Sequence, residues 1–372
     1  MRVIFTCGGT AGHINPAVAL AGLMRQRMPE TEVLFVGARG GMEEALVAKE
    51  GYDFRAVDIS SFYRSLSLES LRHNLKTAYN LLRSPAQARA IIEEFKPDLV
   101  VGTGGYASFP VVNCAAKLGI PTAVHESNAV PGLTTKALAR VVDRVMVGFE
   151  SCRQYYPHPD KVVVTGTPVR GDFYRMSKSE ARAELGIDDG RKLIVSFWGS
   201  LGAAHMNEVI LSFFEREIAD GRFRHIHSAG RNYEQVGRQL RQRGVEPASY
   251  PELDLRPYIY DMPQVMRAAD LVICRAGAST ISELTALGVP AIMVPSPYVT
   301  NNHQEKNARI LSDAGAAVLL REEECTGENM YAEACRILDD EQLQQSMGEE
   351  MAKLSVFDAA ERIYDLLISL CK

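Results

Sequence analysis

The sequence predicts an α/β protein made of two doubly wound domains, each a parallel sheet covered on both faces. Three observations predict it. Short β-branched runs alternate with longer helical patterns along all 372 residues. The runs are continuously apolar, as in strands buried on both faces by crossover helices. They fall into two successive series, too many strands for one open sheet of ordinary size.

In the first series the candidate strands are Arg2–Thr6, Glu32–Val36, Leu99–Gly102, Thr122–His125, Arg144–Gly148 and Lys161–Thr165. The second comprises Leu193–Phe197, Arg224–Ser228, Tyr258–Ile259, Leu271–Cys274, Ala291–Val294 and Ala317–Leu320. A Gly/Pro turn at Gly166-Thr167-Pro168 marks the boundary, giving domains 1–165 and 166–372. The last helix, about Ala359–Cys371, can pack back on either domain.

Apolar residues make up 46% and charged residues 23%, an ordinary globular balance that argues against disorder. A formal charge of −5 provides no overall basic field for nucleic acid. No apolar run is long enough to span a bilayer, and Val3-Ile4-Phe5 is too short for a signal-peptide core. The seven cysteines are scattered and never spaced C-x-x-C, which fits reduced thiols in a cytoplasm better than disulfides or zinc.

Four turns rich in glycine or alanine follow strands. The first is Gly8-Gly9-Thr10-Ala11-Gly12-His13, with Asn15 read as a helix N-cap and Pro16 as the first helical residue. Such a turn lets backbone approach a ligand at a helix N-terminus, and equally suits a tight turn with no ligand. The second, Gly102-Thr103-Gly104-Gly105-Tyr106-Ala107, matches the relaxed dinucleotide pattern with Glu126 one strand later. It is not the first βα turn, and its helix reads as starting near Pro110, so a nicotinamide enzyme is the weaker reading. The third, Trp198-Gly199-Ser200-Leu201-Gly202-Ala203, lacks the first glycine of a hydrolase nucleophile elbow. In the fourth, Arg275 to Glu283, small hydroxyl-bearing residues at a helix start favour phosphate oxygens. Glu283, a turn further in, can accept from ribose hydroxyls.

Other polar residues carry weaker signals. His225 and His227 share a strand face with no third metal ligand nearby, so packing is the better reading. His303-Gln304-Glu305 lies in a polar loop suited to sugar hydroxyls or to solvation. His125-Glu126-Ser127-Asn128 ends a strand, where open α/β sheets bind ligands, although Glu126 also reads as a buried cap.

Together these segments resemble the MurG-type N-acetylglucosaminyltransferases of peptidoglycan synthesis. The resemblance rests on GGTAGHINPAVAL (8–20), GTGGYASFPV (102–111), HESNAVPGLTTK (125–136), GTPVR (166–170), GSLGA (199–203), RAGASTISEL (275–284) and NNHQEKNA (301–308). It implies a GT-B fold, two Rossmann-like domains facing a central cleft, with acceptor on the first domain and UDP-N-acetylglucosamine on the second. It implies inverting, metal-independent transfer to the 4-hydroxyl of the muramoyl sugar of lipid I, with no cofactor. Other enzymes on this scaffold, such as a UDP-sugar 2-epimerase or a glycolipid synthase, or a non-catalytic subunit binding lipid-linked sugars, are the alternatives.

Carried over by position, the resemblance places Thr10, Ala11 and Gly12 along the donor and Asn128 at the transferred sugar. It places Gly104, Gly105 and Tyr106 at the acceptor. Arg170 and Ser200 meet the diphosphate, which Ala278, Ser279, Thr280, Ile281, Ser282 and Glu283 cap, with Glu283 on the ribose. Ile259 meets the uracil through its backbone, and Gln304 the hydroxyls of N-acetylglucosamine. The chain departs from the family pattern at Ala11 and Trp198, where Gly is usual, at Leu201, often Gln, and at Thr167, often Asn.

No Asp-x-Asp pair is present to hold a bridging metal, and Arg170 with the 276–280 loop supplies positive charge instead. For the acceptor proton His13, read as lying just before a helix start, is the first candidate base and Glu126 the second. An amphipathic segment between 62 and 92 carries Arg64, Arg72, Lys76, Arg83 and Arg89 against Glu69 alone. Its stripe of Leu68, Leu71, Leu75, Tyr79 and Leu82 reads either as a core-facing side or as a dock on an anionic inner-membrane surface. The resulting expectation is a peripheral protein on the cytoplasmic face of the cell membrane, with cell-wall synthesis proteins as further partners.

Overall fold

The structure is a computed structural model and describes residues 1–60, 67–199 and 202–371. It divides into two compact units, Met1–Arg170 with Val356–Lys372, and Gly171–Ser355. The first division thus falls after Arg170 rather than after Thr165, and the C-terminal segment belongs to the first unit.

The first unit runs β1 (Arg2–Thr6), α1 (Ala11–Arg27), β2 (Glu32–Ala38), α2 (Met42–Lys49), β3 (Asp53–Val57), α3 (Leu68–Phe95), β4 (Leu99–Gly102), α4 (Ser108–Lys117), β5 (Thr122–Glu126), α5 (Leu133–Leu138), β6 (Arg144–Val147) and β7 (Val162–Val164). All seven strands are parallel, in the order β3-β2-β1-β4-β5-β6-β7.

The second unit runs α6 (Lys178–Glu184), β8 (Lys192–Phe197), α7 (Ala204–Asp220), β9 (Phe223–Ser228), α8 (Tyr233–Gln242), β10 (Leu253–Arg256), α9 (Met262–Ala268), β11 (Leu271–Cys274), α10 (Ala278–Leu287), β12 (Ala291–Met293), α11 (His303–Asp313), β13 (Ala317–Leu319), α12 (Gly327–Leu338) and α13 (Glu341–Lys353). Its six parallel strands repeat the pattern, β10-β9-β8-β11-β12-β13. The last helix, α14 (Ala359–Leu370), buries Ile363 and Leu367 in the same core as Ala17, Leu20 and Ala21 of α1.

In each unit the strand order reverses beside the first strand, and such a switch point leaves a crevice at the carboxyl ends of the strands. Thr6 and Gly102 are register partners, so the loops after β1 and β4 leave the sheet side by side. Phe197 and Cys274 are partners in the second sheet and do the same for the loops after β8 and β11.

Four elements differ from the sequence reading. Strand β3 was not expected, and the third strand of the second series is Leu253–Arg256, with Ile259 in the loop beyond it. Helix α4 starts at Ser108, ahead of Pro110. Helix α1 starts at Ala11 because the Thr10 carbonyl accepts the N–H groups of His13 and Ile14, closing a turn before Pro16. His13 therefore lies within the first helical turn, not ahead of it.

Candidate active site

In the first unit two glycine loops lock together around His13. Its Nδ1 lies 2.8 Å from the carbonyl oxygen of Gly8. A carbonyl can only accept, so Nδ1 carries a proton, and in a neutral ring Nε2 is then the nitrogen with the lone pair. The Thr103 hydroxyl donates to the His13 carbonyl at 2.7 Å, tying the second loop to the helix start. Gly104 packs close to the imidazole: a Cβ there would stand 2.6 Å from His13 Cδ2. At Gly105 a Cβ would run into the Gly8 carbonyl, and both residues hold positive φ, +109° and +83°. Only glycine fits either position. Tyr106 is half-buried beside Gly9, and burial first, then the charge of Glu43, pushes its hydroxyl up. Thr10 is exposed, with Ala11 and Gly12 half-buried behind it.

Glu126 sits at the end of β5, 4% exposed, with both oxygens in use. Oε1 accepts from the backbone and side-chain nitrogens of Asn128 at 3.1 and 2.9 Å, and Oε2 from the Gly132 N–H at 3.0 Å. Its geometry is that of an anchor for the 127–132 loop. His125, fully buried, donates from Nε2 to the Gly166 carbonyl at 2.9 Å, and burial pushes its pKa down. Half-buried Arg170 makes no ion pair or hydrogen bond among the described residues, leaving its guanidinium available to an anion.

The second unit builds its loop from below. Arg275 donates to the Val294 carbonyl at 3.0 Å and pairs with Glu322 at 2.6 Å, both side chains nearly buried. The Asn307 amide donates to the Ala276 carbonyl at 3.1 Å from a fully buried position. Gly277 then caps α10, whose first internal bond runs from Ile281 N to the Gly277 carbonyl. The N–H groups ahead of that bond point out of the helix end, where the dipole is positive. Ala278 and Ile281 turn their side chains into the core, so they can meet a ligand only through backbone. Ser282 bonds back to the Ala278 carbonyl at 3.1 Å, while Ser279, Thr280 and Glu283 are half-buried on the helix.

Gln304 Oε1 accepts from the Ser296 N–H at 2.9 Å, which leaves the amide hydrogens as the donors it can offer. It follows two asparagines in the left-handed region, Asn301 and Asn302, with φ of 58° and 50°. Next to it, Glu305 is held at about 2 by Arg309 first, then Asn302 and Arg321, which pins the start of α11. Ile259 is buried, between the exposed Tyr258 and Tyr260, whose rings lie 4.8 Å apart. Ser200 and Leu201 lie outside the described residues.

Sequence reasoning missed two buried features. Glu43, at the start of α2, is fully buried beneath the first glycine loop. In the second unit Ser196 Oγ lies 2.6 Å from both His225 Nε2 and His227 Nδ1, while Glu217 Oε2 lies 2.8 Å from His225 Nδ1. Trp198, which replaces the family glycine, is buried against His227 with the Arg275 guanidinium 5.9 Å from its ring.

A different surface lies on α3. Among its described side chains Ser70, Thr77, Ser84, Ala88 and Ile92 are buried, while Leu71, Leu75, Tyr79 and Leu82 are 58%, 64%, 57% and 82% exposed. The apolar stripe therefore faces outward, opposite to the core-facing reading. Exposed Arg72 and Arg83 flank it, and the side chains of Leu68 and Lys76 lie outside the described ones. Among the described residues no helix is long and apolar enough to cross a membrane.

Two domain families account for the paired sheets and their loops. Residues 3–147 match the glycosyltransferase family 28 N-terminal domain and residues 193–363 its C-terminal domain. The chain belongs to glycosyltransferase family 28, enzymes of GT-B architecture. It is 41% identical over 373 residues to the UDP-N-acetylglucosamine–N-acetylmuramyl-(pentapeptide) pyrophosphoryl-undecaprenol N-acetylglucosamine transferase of Acetivibrio thermocellus, covering 100% of this chain and 99% of the relative. The transferase of the same name from Bacillus subtilis is 39% identical, with both chains covered completely. The crystal structure of Acinetobacter baumannii MurG aligns with a TM-score of 0.74 at 26% identity over 99% of each chain. A UDP-GlcNAc 2-epimerase from Neisseria meningitidis, 17% identical, shares the fold with a TM-score of 0.66 over 99% of this chain and 100% of its own.

Proposed function

We propose that this enzyme transfers N-acetylglucosamine from UDP-N-acetylglucosamine to the 4-hydroxyl of the muramoyl sugar of lipid I, with inversion, giving lipid II for peptidoglycan. The observation that carries the reading is the end-to-end identity, near 40%, with transferases named for that donor and acceptor. The first unit holds the acceptor and the base and contributes Arg170 to the diphosphate, and the second holds the rest of the donor.

The chemistry is one displacement. The acceptor oxygen bonds to the anomeric carbon, its proton passes to His13 Nε2, and UDP leaves with the electrons of the broken bond. Negative charge grows on the diphosphate, so fixed donors there contribute most. The start of α10 supplies oriented N–H groups and Arg170 a planar cationic fork. Glu283 takes the ribose, the backbone of Ile259 the uracil, and the amide hydrogens of Gln304, whose oxygen is held by Ser296, the sugar hydroxyls. His13 is preferred to Glu126 as the base, because Glu126 already spends both oxygens on its own loop.

An exposed apolar stripe flanked by arginines supports docking of the first unit on an anionic membrane at its cytoplasmic face, where lipid I is embedded. Incubation of the protein with UDP-N-acetylglucosamine and a short-chain lipid I analogue tests the function. UDP release that requires the analogue, with disaccharide formed in equal amount, is the expected result. Release of UDP from the donor alone would instead point to epimerase-type chemistry on the same fold.

A further inference from the structure

Glu43 is a carboxylate with no exposure, at the second position of α2. Its Oε1 accepts from the Ala38 N–H at 2.8 Å, at the end of β2, and its Oε2 from the Gly9 N–H at 3.4 Å. Backbone closes around it. A Cβ at Gly8 would stand 2.8 Å from Oε1, and one at Gly41 would stand 2.5 Å from Oε2. An acid buried this completely is costly unless its bonds accomplish something.

The peptide it grips is the one that holds His13. The Gly9 N–H and the Gly8 carbonyl belong to a single peptide group, and the two point in opposite directions across it. One end donates to Glu43 and the other accepts from His13 Nδ1 at 2.8 Å. We infer that Glu43 is a positioning residue for the transfer reaction, acting through the Gly8–Gly9 peptide to hold His13 with its proton on Nδ1 and Nε2 open to the acceptor. This rests on His13 being the base.

A negative charge at one end of the peptide polarises it, so its carbonyl becomes a stronger acceptor for Nδ1–H. The arrangement does for His13 what an orienting carboxylate does when bonded directly to a catalytic imidazole, with a peptide group interposed. Burial first, then the nearness of Glu43, pushes the Tyr106 hydroxyl and the Cys7 thiol up. The other glycines of the cradle serve the same end, since a side chain at Gly8 or Gly41 would displace the acid.

Glu43→Gln tests the inference. An amide has one acceptor oxygen, and the shorter bond to Ala38 claims it. An NH₂ group then faces the Gly9 N–H, and the peptide is pushed away. The expected result is a kcat lower by about ten- to a hundredfold, the usual scale for a lost orienting partner, with KM for UDP-N-acetylglucosamine within about twofold. Because unfolded enzyme would lower apparent kcat at unchanged KM, turnover is expressed per UDP-binding site counted by calorimetric titration of the same preparation. The ¹⁵N spectrum of the histidines, with the His13 signal assigned by its absence in His13→Ala, gives a second readout. The wild type should show protonated Nδ1 and bare Nε2, and Glu43→Gln a mixture of tautomers. Should Glu43→Gln not fold, the wild-type spectrum decides alone, since a proton on Nε2 overturns the inference. A variant with full kcat does the same while leaving the His13 reading intact. Full turnover in His13→Ala removes both.

Discussion

Gly104→Ala displaces the proposed base without removing any group that donates or accepts a proton. A methyl at position 104 would stand 2.6 Å from His13 Cδ2, where ordinary carbon contacts begin near 3.4 Å. The imidazole or the loop must therefore yield by about 0.8 Å. Displacements of about 1 Å at a reacting group cost on the order of a hundredfold in rate. A side chain at φ +109° adds strain of about 1–3 kcal/mol. For a unit of this size that lowers the melting temperature by several degrees, at about 2–4 °C per kcal/mol. The assay is steady-state transfer to a lipid I analogue beside calorimetric titration with UDP. The expected outcome is kcat reduced by about thirty- to a hundredfold with UDP affinity unchanged, since the methyl meets His13 and none of the groups proposed to hold UDP. Transfer within about twofold of wild type, in a variant whose melting point has fallen, would refute the claim that the position of His13 governs the reaction.

Arg170→Ala should weaken donor binding and slow transfer together by about ten- to a hundredfold, the scale of a lost charge-assisted contact of about 1.5–3 kcal/mol. Unchanged kinetics would leave Arg170 without a role at the diphosphate. His125 and His227 are both pushed below the ordinary histidine value of 6.5 by burial. The unfolded chain then binds protons that the folded one does not, so stability is fully present above pH 6.5 and falls below it. The loss is about 1.4 kcal/mol per pH unit for each group until its folded pKa is reached. A thermal melt from pH 7.5 to 5 should show a steady fall that His125→Gln makes shallower; a flat profile would contradict the burial argument. Replacing Arg72, Lys76 and Arg83 by Glu should abolish sedimentation with anionic vesicles and spare UDP binding, each lost cation being worth about 1 kcal/mol. Persistent salt-sensitive binding would place the dock elsewhere.

What the sequence made legible follows from where each residue sits. Central strands such as Leu99–Gly102 and Leu271–Cys274 are buried along their whole length, so their apolar runs stand out. Asp53–Val57 and Leu253–Arg256 form the edges of their sheets, and their charged, half-exposed residues hid them. On α3 periodicity found the apolar stripe but not its direction, because small residues at Ser70, Thr77 and Ser84 suffice to pack the inner face. The glycine loops and their order along the chain carried the family resemblance. Glu43 was out of reach: it meets Gly9 across 34 residues, and nothing local distinguishes it from its exposed neighbour Glu44. The Ser196–His225–Glu217 network was invisible for the same reason, although the shared face of His225 and His227 was read correctly.

The proposed role of His13 as a base, separate from the groups that bind the donor, is tested most directly by His13→Ala, measured twice in one preparation. Calorimetry gives its affinity for UDP-N-acetylglucosamine, and a single-turnover experiment with a lipid I analogue gives its rate of transfer. The account predicts unchanged affinity, within about twofold, and transfer slower by about 10²–10⁴, the range of general-base assistance. Equal losses in affinity and rate, or no loss in either, would contradict it.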